Sequence, residues 1–308
     1  HTGQIYTITN SGGTQVASGS FDVDPGETLN VDLTGVDPYE TYTFSSTGYA
    51  GTFSITENCG TRPVLTITSV CADPAQFTIT NTGGDMLLSQ PITVVDASSN
   101  AVTASASSFQ LAAGASLNVT LPGADPYAAY TLSTSGYAGG SSSRTHNCAD
   151  PVITVSATCA YPVVFTISNG AGAGNMLSSQ GYSIEDSLGN VVASGTFTLN
   201  ANGSQTVTLT GLDPYDTYTF ITNGHAATIN QDHNCARPVL VITSTCANPA
   251  QFTIENTGGA MLTSQPISVV DASSNAVTAS ASSFTLAAGA SLNVTLPGVD
   301  PYAEYTLT

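Results

Sequence analysis

Apolar and polar residues alternate with a period of two through most of this chain. Leu65, Ile67, Ser69 and Cys71 interleave with Thr66, Thr68 and Val70; Phe77 and Ile79 with Thr78 and Thr80; Leu117, Val119 and Leu121 with Asn118 and Thr120. Successive side chains of a strand point to opposite faces, so the pattern predicts strands with one buried face and one threonine-rich outer face. Asp-Pro, Asn-Thr-Gly-Gly and Ser-Ser-Asn clusters interrupt the runs at turn spacing. No window carries the 3.6-residue period of a helix.

The runs recur. Leu209-Thr-Gly-Leu-Asp-Pro-Tyr-Asp-Thr-Tyr218 returns, with small changes, at 33–42, 121–130 and 296–305. The aspartates of the four copies, Asp37, Asp125, Asp213 and Asp300, lie 88, 88 and 87 residues apart. A period this regular predicts an array of small modules in place of one large domain. About seven short strands per module describe a Greek-key sandwich. Aligning the copies makes 60–148 and 149–235 complete modules. Residues 1–59 form a partial module lacking its first strands, and 236–308 a partial module lacking its last strand. Cys71-Ala-Asp-Pro-Ala-Gln-Phe-Thr-Ile-Thr80 recurs as Cys246-Ala-Asn-Pro-Ala-Gln-Phe-Thr-Ile-Glu255, so a two-module element of about 175 residues is itself duplicated.

Composition narrows what such an array can do. The 308 residues carry 3 Lys+Arg against 21 Asp+Glu, a formal charge of −18, yet only 8% are charged. An anionic surface without a basic patch is repelled by phosphate backbones, so no nucleic-acid partner is expected. No stretch of about 18 apolar residues occurs, and no membrane insertion is expected. A module of this size buries only about 60–65% of its unfolded surface, so cross-links would help it.

The repeated Leu-x-Gly-x-Asp-Pro-Tyr-x-x-Tyr resembles the E–F corner of fibronectin type III and related immunoglobulin-like domains. Phe77-Thr-Ile-Thr-Asn-Thr-Gly83 and Phe252-Thr-Ile-Glu-Asn-Thr-Gly258 are similar to the second strand of cell-adhesion-related repeats in bacterial surface proteins. The resemblance touches every module and implies a tandem array of immunoglobulin-like β-sandwiches. It also implies that Tyr42, Tyr130, Tyr218 and Tyr305 anchor the corners through hydroxyl-to-backbone hydrogen bonds. The chain has no Trp, so the buried indole of antibody domains has no counterpart. Tyr39, Tyr127, Tyr215 and Tyr302, each directly after the Pro, either cap the end of a sandwich or form an exposed aromatic row suited to sugars.

Six cysteines, at 59, 71, 148, 159, 235 and 246, suggest disulfides and show no zinc spacing. Two pairings compete: sequence neighbours across each module boundary, or modules closed on themselves by Cys71–Cys148 and Cys159–Cys235. Cys59 could reach Cys71 only by a reversal with almost no residues left to turn, because the strand before Cys71 is extended. In a sandwich of this type the first and last strands run side by side, which favours self-closing modules. Cys59 and Cys246 are then candidates for bonds between subunits.

Candidate chemistry is sparse. Of the four histidines, His146 and His233 precede Cys148 and Cys235 at equivalent positions and read as features of the last strand. An amino-terminal histidine resembles the copper ligand of polysaccharide monooxygenases, but His1 has no second histidine nearby. Asp22, Asp24 and Glu27 read as a solvated turn, and Gly170-Ala-Gly-Ala-Gly174 as a lengthened hairpin loop. Asn118, Asn202 and Asn293 stand in Asn-x-Ser/Thr sequons, so covalent glycans are possible partners. No nucleophile, metal or cofactor constellation is present, and no enzyme is expected. The expected function is a structural subunit of an extracellular filament, pilus-like fibre or surface coat. Copies would assemble with themselves, head to tail, by strand complementation. The alternative is a cell-surface adhesin or carbohydrate-binding stalk.

Overall fold

A computed structural model of the chain describes residues 3–48, 51–135, 141–224 and 227–308. Its regular elements are strands, and among the described residues no helix is long and apolar enough to cross a membrane. Two compact units are present, 1–148 and 149–308.

The first unit holds β1 (Gln4–Asn10), β2 (Gln15–Phe21), β3 (Tyr42–Gly48), β4 (Gly51–Glu57), β5 (Leu65–Val70), β6 (Ala75–Asn81), β7 (Gln90–Asp96), β8 (Ser108–Phe109), β9 (Ser116–Leu121), β10 (Tyr130–Ser135) and β11 (Ser141–His146). Residues 60–148 form a sandwich of two antiparallel sheets, β5-β6-β9 and β11-β10-β7-β8. The period-two pattern explains why they stack. Phe77 and Ile79 of β6, Val119 and Leu121 of β9 and Leu132 of β10 are fully buried in one core, while Thr78 and Thr80 face outward. Each such side chain contributes about 1.5–3 kcal/mol when fully buried.

The second unit holds β12 (Ile153–Thr158), β13 (Val163–Asn169), β14 (Gln180–Asp186), β15 (Val191–Phe197), β16 (Ser204–Leu209), β17 (Tyr218–Asn223), β18 (Thr228–His233), β19 (Leu240–Thr245), β20 (Ala250–Asn256), β21 (Gln265–Pro266), β22 (Val269–Asp271), β23 (Ser283–Phe284), β24 (Ser291–Leu296) and β25 (Tyr305–Leu307). Residues 149–235 repeat the sandwich as β12-β13-β16 against β15-β14-β17-β18. The all-β tandem sandwich expected from the sequence is therefore the observed fold. One loop differs from expectation. Residues 170–174 do not close a hairpin, because β13 and β14 belong to different sheets and the loop crosses between them. Its Gly170 and Gly174 amides instead donate to the carbonyls of Val152 and Asp150 in the linker.

The segments 1–59 and 236–308 build fewer strands. Residues 1–59 form only the four-stranded sheet β2-β1-β3-β4. Leu29, Val31 and Leu33 alternate as Leu117, Val119 and Leu121 do, yet residues 27–34 form no strand. The reason is the missing partner: β9, β16 and β24 pair with β6, β13 and β20 respectively, and 1–59 has no counterpart of those strands. Residues 236–308 build the three-stranded sheet β19-β20-β24, but the opposing layer is reduced to the short pairs β21-β23 and β22-β25.

Candidate functional site

The repeated corner carries the chain from one sheet to the other. Its glycines, Gly35, Gly123, Gly211 and Gly298, sit at φ between 73 and 78°, a left-handed conformation that glycine adopts without a Cβ clash. The hydroxyls of Tyr42, Tyr218 and Tyr305 donate to the carbonyls of Asp37, Asp213 and Asp300 at 2.9, 3.1 and 2.9 Å. Tyr130 occupies the equivalent place in its corner and is buried. Burial raises the hydroxyl pKa of Tyr42, Tyr130 and Tyr218 above the ordinary tyrosine value.

The tyrosine after the proline has a different task. The Tyr39 hydroxyl donates to the Asp85 carbonyl at 2.9 Å and accepts from the Leu87 amide at 2.6 Å, both in the next module. Tyr215 repeats this with the Ala260 carbonyl at 3.5 Å and the Leu262 amide at 2.7 Å. An ion pair flanks each wedge. Arg62 binds Asp37, and Arg237 binds Asp213 and Asp216 at 2.9 and 2.6 Å with its guanidinium 5.9 Å from the Tyr215 ring centroid. Tyr39 and Tyr127 are buried, Tyr215 is half-buried and Tyr302 is 96% exposed, so the four form no continuous aromatic row. In Tyr39→Phe the Leu87 amide loses a buried acceptor, which costs about 1–3 kcal/mol locally. Hydrogen exchange at that amide should accelerate by about tenfold or more, and an unchanged rate would mean the wedge is not holding it.

These junctions should respond to acid. The Tyr39 amide donates to Asp37 Oδ1 at 3.0 Å, and together with the Arg62 guanidinium it holds the Asp37 carboxyl below its ordinary value. The Tyr215 amide and Arg237 do the same to Asp213. A folded-state pKa below the unfolded one means the contribution is present above the ordinary Asp range, about pH 3.9. It is lost as pH falls through the depressed value. We expect the angle between modules 1–59 and 60–148 to broaden at pH 3 relative to pH 6 while their near-ultraviolet spectra stay native. Fluorescence energy transfer between the two modules would read this.

A second polar element was not singled out from the sequence. Asn81, at the end of β6, is fully buried. Its Oδ1 accepts from the amides of Val64 and Gly83, both at 3.1 Å, and its Nδ2 donates to the carbonyls of Gly84, Leu111 and Ala112 at 2.7, 3.2 and 3.3 Å. Asn169 and Asn256 repeat the arrangement in their modules. The clamp joins the incoming linker to two loops. The adjacent glycines follow from it, since a Cβ on Gly84 would overlap the Thr61 carbonyl. The signal was in plain view as Asn-Thr-Gly-Gly, where a turn explained the same letters.

The structure joins Cys71 to Cys148 and Cys159 to Cys235, with Cα separations of 5.8 and 5.7 Å. Cys59 and Cys246 are free and exposed. Beside each disulfide lies a buried histidine. His146 Nε2 is 3.1 Å from the Pro126 carbonyl and 3.3 Å from Cys148 Sγ, and His233 stands at 3.0 and 3.3 Å from the Pro214 carbonyl and Cys235 Sγ. His1 and His225 lie outside the described residues. Asp22, Asp24 and Glu27 are exposed, and among the described residues no group of three metal-ligating side chains forms. Asn118, Asn202 and Asn293 are exposed; Asn118 and Asn293 accept hydrogen bonds from Thr78 and Thr253, both at 2.9 Å.

No protein-family model and no curated protein matches the chain. Among solved structures it is similar to a tetra-tandem repeat in the extending region of a large adhesion protein, at 20% identity and a TM-score of 0.30, covering 97% of this chain and 84% of that one. The BSP domain of a biofilm-associated protein matches at 10% identity and TM-score 0.23, over 97% and 84% of the two chains. The FN1–FN3 domains of chicken CNTN1 match at 8% and 0.22, over 76% and 96%. At these scores the likenesses carry no argument.

Proposed function

We propose that the chain is a structural subunit of an extracellular filament, pilus-like fibre or surface coat, whose copies assemble head to tail by completing each other's open sandwiches. One observation carries this reading. Residues 1–59 leave the inner face of a sheet open as a groove of about 400 Å³, lined by Ile8, Leu29, Val31, Leu33, Phe44 and Ile55 with Tyr42 and Glu57. Residues 236–308 leave β19 exposed along its whole length. Exposed apolar core and an unpaired strand edge are what strand donation from a neighbour satisfies. The two disulfides favour an oxidising, extracellular setting. The wedges and ion pairs would stiffen the string of modules, as a fibre requires.

Electron microscopy of the purified chain at high concentration tests this. Ordered filaments are expected; isolated flexible strings at every concentration would sink it. The stalk or adhesin reading stands as the alternative. A glycan screen in which Tyr302→Ala abolished binding would favour it. For the sequons, native material carrying N-linked sugar at Asn118, Asn202 or Asn293 should exceed the sequence mass of 31.2 kDa and return to it after glycosidase treatment.

A further inference from the structure

Both disulfides have one accessible side. Cys71 and Cys159 are exposed, whereas their partners Cys148 and Cys235 are only 6% and 5% exposed. A thiolate that opens a disulfide attacks one sulfur and expels the other, so access selects which cysteine is captured and which leaves. The approachable cysteine is the one that directly follows the first strand, β5 or β12.

The sulfur that would leave faces a buried imidazole. His146 Nε2 lies 3.3 Å from Cys148 Sγ and 3.1 Å from the Pro126 carbonyl, and His233 Nε2 lies 3.3 Å from Cys235 Sγ and 3.0 Å from the Pro214 carbonyl. A carbonyl oxygen only accepts, so Nε2 carries the proton in both rings and shares it between the carbonyl and the sulfur. His233 Nδ1 is buried without a hydrogen bond, so the polar contacts of that ring run through Nε2. Packing sets the rings in place: His146 meets Phe77 edge-on at 5.8 Å between centroids, and His233 meets Phe165 at 6.2 Å. Burial by itself disfavours a thiolate at Cys148 or Cys235. A hydrogen bond to the charged form offsets that cost.

We propose that Cys71 and Cys159 are capture sites for a small-molecule thiol, and that His146 and His233 stabilise the departing Cys148 and Cys235 thiolates. The thiolate sulfur of the small molecule bonds to Cys159 Sγ, the Cys159–Cys235 bond breaks, and its electron pair leaves on Cys235 Sγ beside the His233 N–H. One disulfide is consumed and one is made, so no further oxidant or reductant enters. The captured module loses the closure of its 76-residue span, and the thiol thereby loosens it. Both disulfides lie inside complete modules, so the chemistry is the same whether or not copies assemble.

The test treats the full chain with reduced glutathione in the absence of denaturant, after alkylation of thiols that are already free. Newly released thiols are trapped with N-ethylmaleimide and the peptides are mapped by mass. Glutathione should sit on Cys71 and Cys159 and maleimide on Cys148 and Cys235, in at least about tenfold excess over the reverse pattern, because the folded sandwich exposes one sulfur of each pair. In concentrated guanidinium the excess should fall towards one. Native capture at Cys159 should slow by about tenfold in His233→Leu, which removes a hydrogen bond to a charged group. His233→Gln, whose amide N–H replaces the lost donor, should recover most of the rate, with capture at Cys71 in the same chain as the internal control. If His233→Leu fails to fold, His146→Leu reads the same effect at Cys71. Equal labelling of the two cysteines of a native pair would overturn the proposal. So would an excess that guanidinium leaves unchanged, or a folded leucine variant that captures glutathione as fast as wild type.

Discussion

Replacing Cys71 and Cys148 together by serine should destabilise the 60–148 sandwich by about 4 kcal/mol. The disulfide spans 77 residues of sequence, and closing a loop of that size removes roughly 4–4.5 kcal/mol of chain entropy from the unfolded state in the entropic account. A domain of about 90 residues has only about 4–13 kcal/mol in total, so the loss is comparable to the stability itself. The Cys159–Cys235 bond of the 149–235 sandwich, spanning 76 residues, serves as an internal control. Guanidinium unfolding of the double variant should therefore resolve an earlier transition for 60–148 and leave that of 149–235 nearly unmoved. A single transition at the wild-type midpoint would show that the loop closure contributes little.

The second large effect is expected at the buried asparagines. Asn81→Ala leaves the Val64 and Gly83 amides without their acceptor and three carbonyls without a donor. Buried groups left unpaired cost about 1–3 kcal/mol each, and with partial relaxation the sum should be about 3–4 kcal/mol. Asn81→Asp separates this polar role from simple volume. It keeps Oδ1 but turns the other oxygen toward carbonyl oxygens, so the charged form is disfavoured and the folded-state pKa of the new carboxyl rises. A raised pKa contributes stability that is present at low pH and lost as pH increases through it. Asn81→Asp should accordingly be closer to wild type at pH 4 than at pH 7 in urea midpoint. The same deficit at both values would mean that the site is hydrated and the network is not what holds it.

Much of the fold was legible because its signals are local. The alternation at Phe77, Ile79, Val119 and Leu121 reports on the two faces of a strand, whatever that strand later pairs with. The corner glycines needed a left-handed backbone and the Asp-Pro-Tyr that follows marks a turn, so counting corners counts modules. The cysteines were only half legible. Spacing left two pairings open, and the choice depends on β5 and β11 lying side by side at the edges of opposite sheets. Asn81 and Gly84 were read as punctuation because nothing near them in sequence announces the linker carbonyls and amides they meet.

By itself, then, the sequence determined the all-β class, the 88-residue period and the strongly acidic charge balance, since these follow from side-chain alternation, repetition and composition. Only the tertiary structure decided that Leu29, Val31 and Leu33 form no strand while the same pattern at 117–121 does. A ladder needs a partner, and no local pattern supplies one. It also decided that Tyr39 and Tyr215 are wedges between modules, because the groups their hydroxyls meet lie 45–48 residues further along the chain. No local pattern around a tyrosine announces partners at that distance.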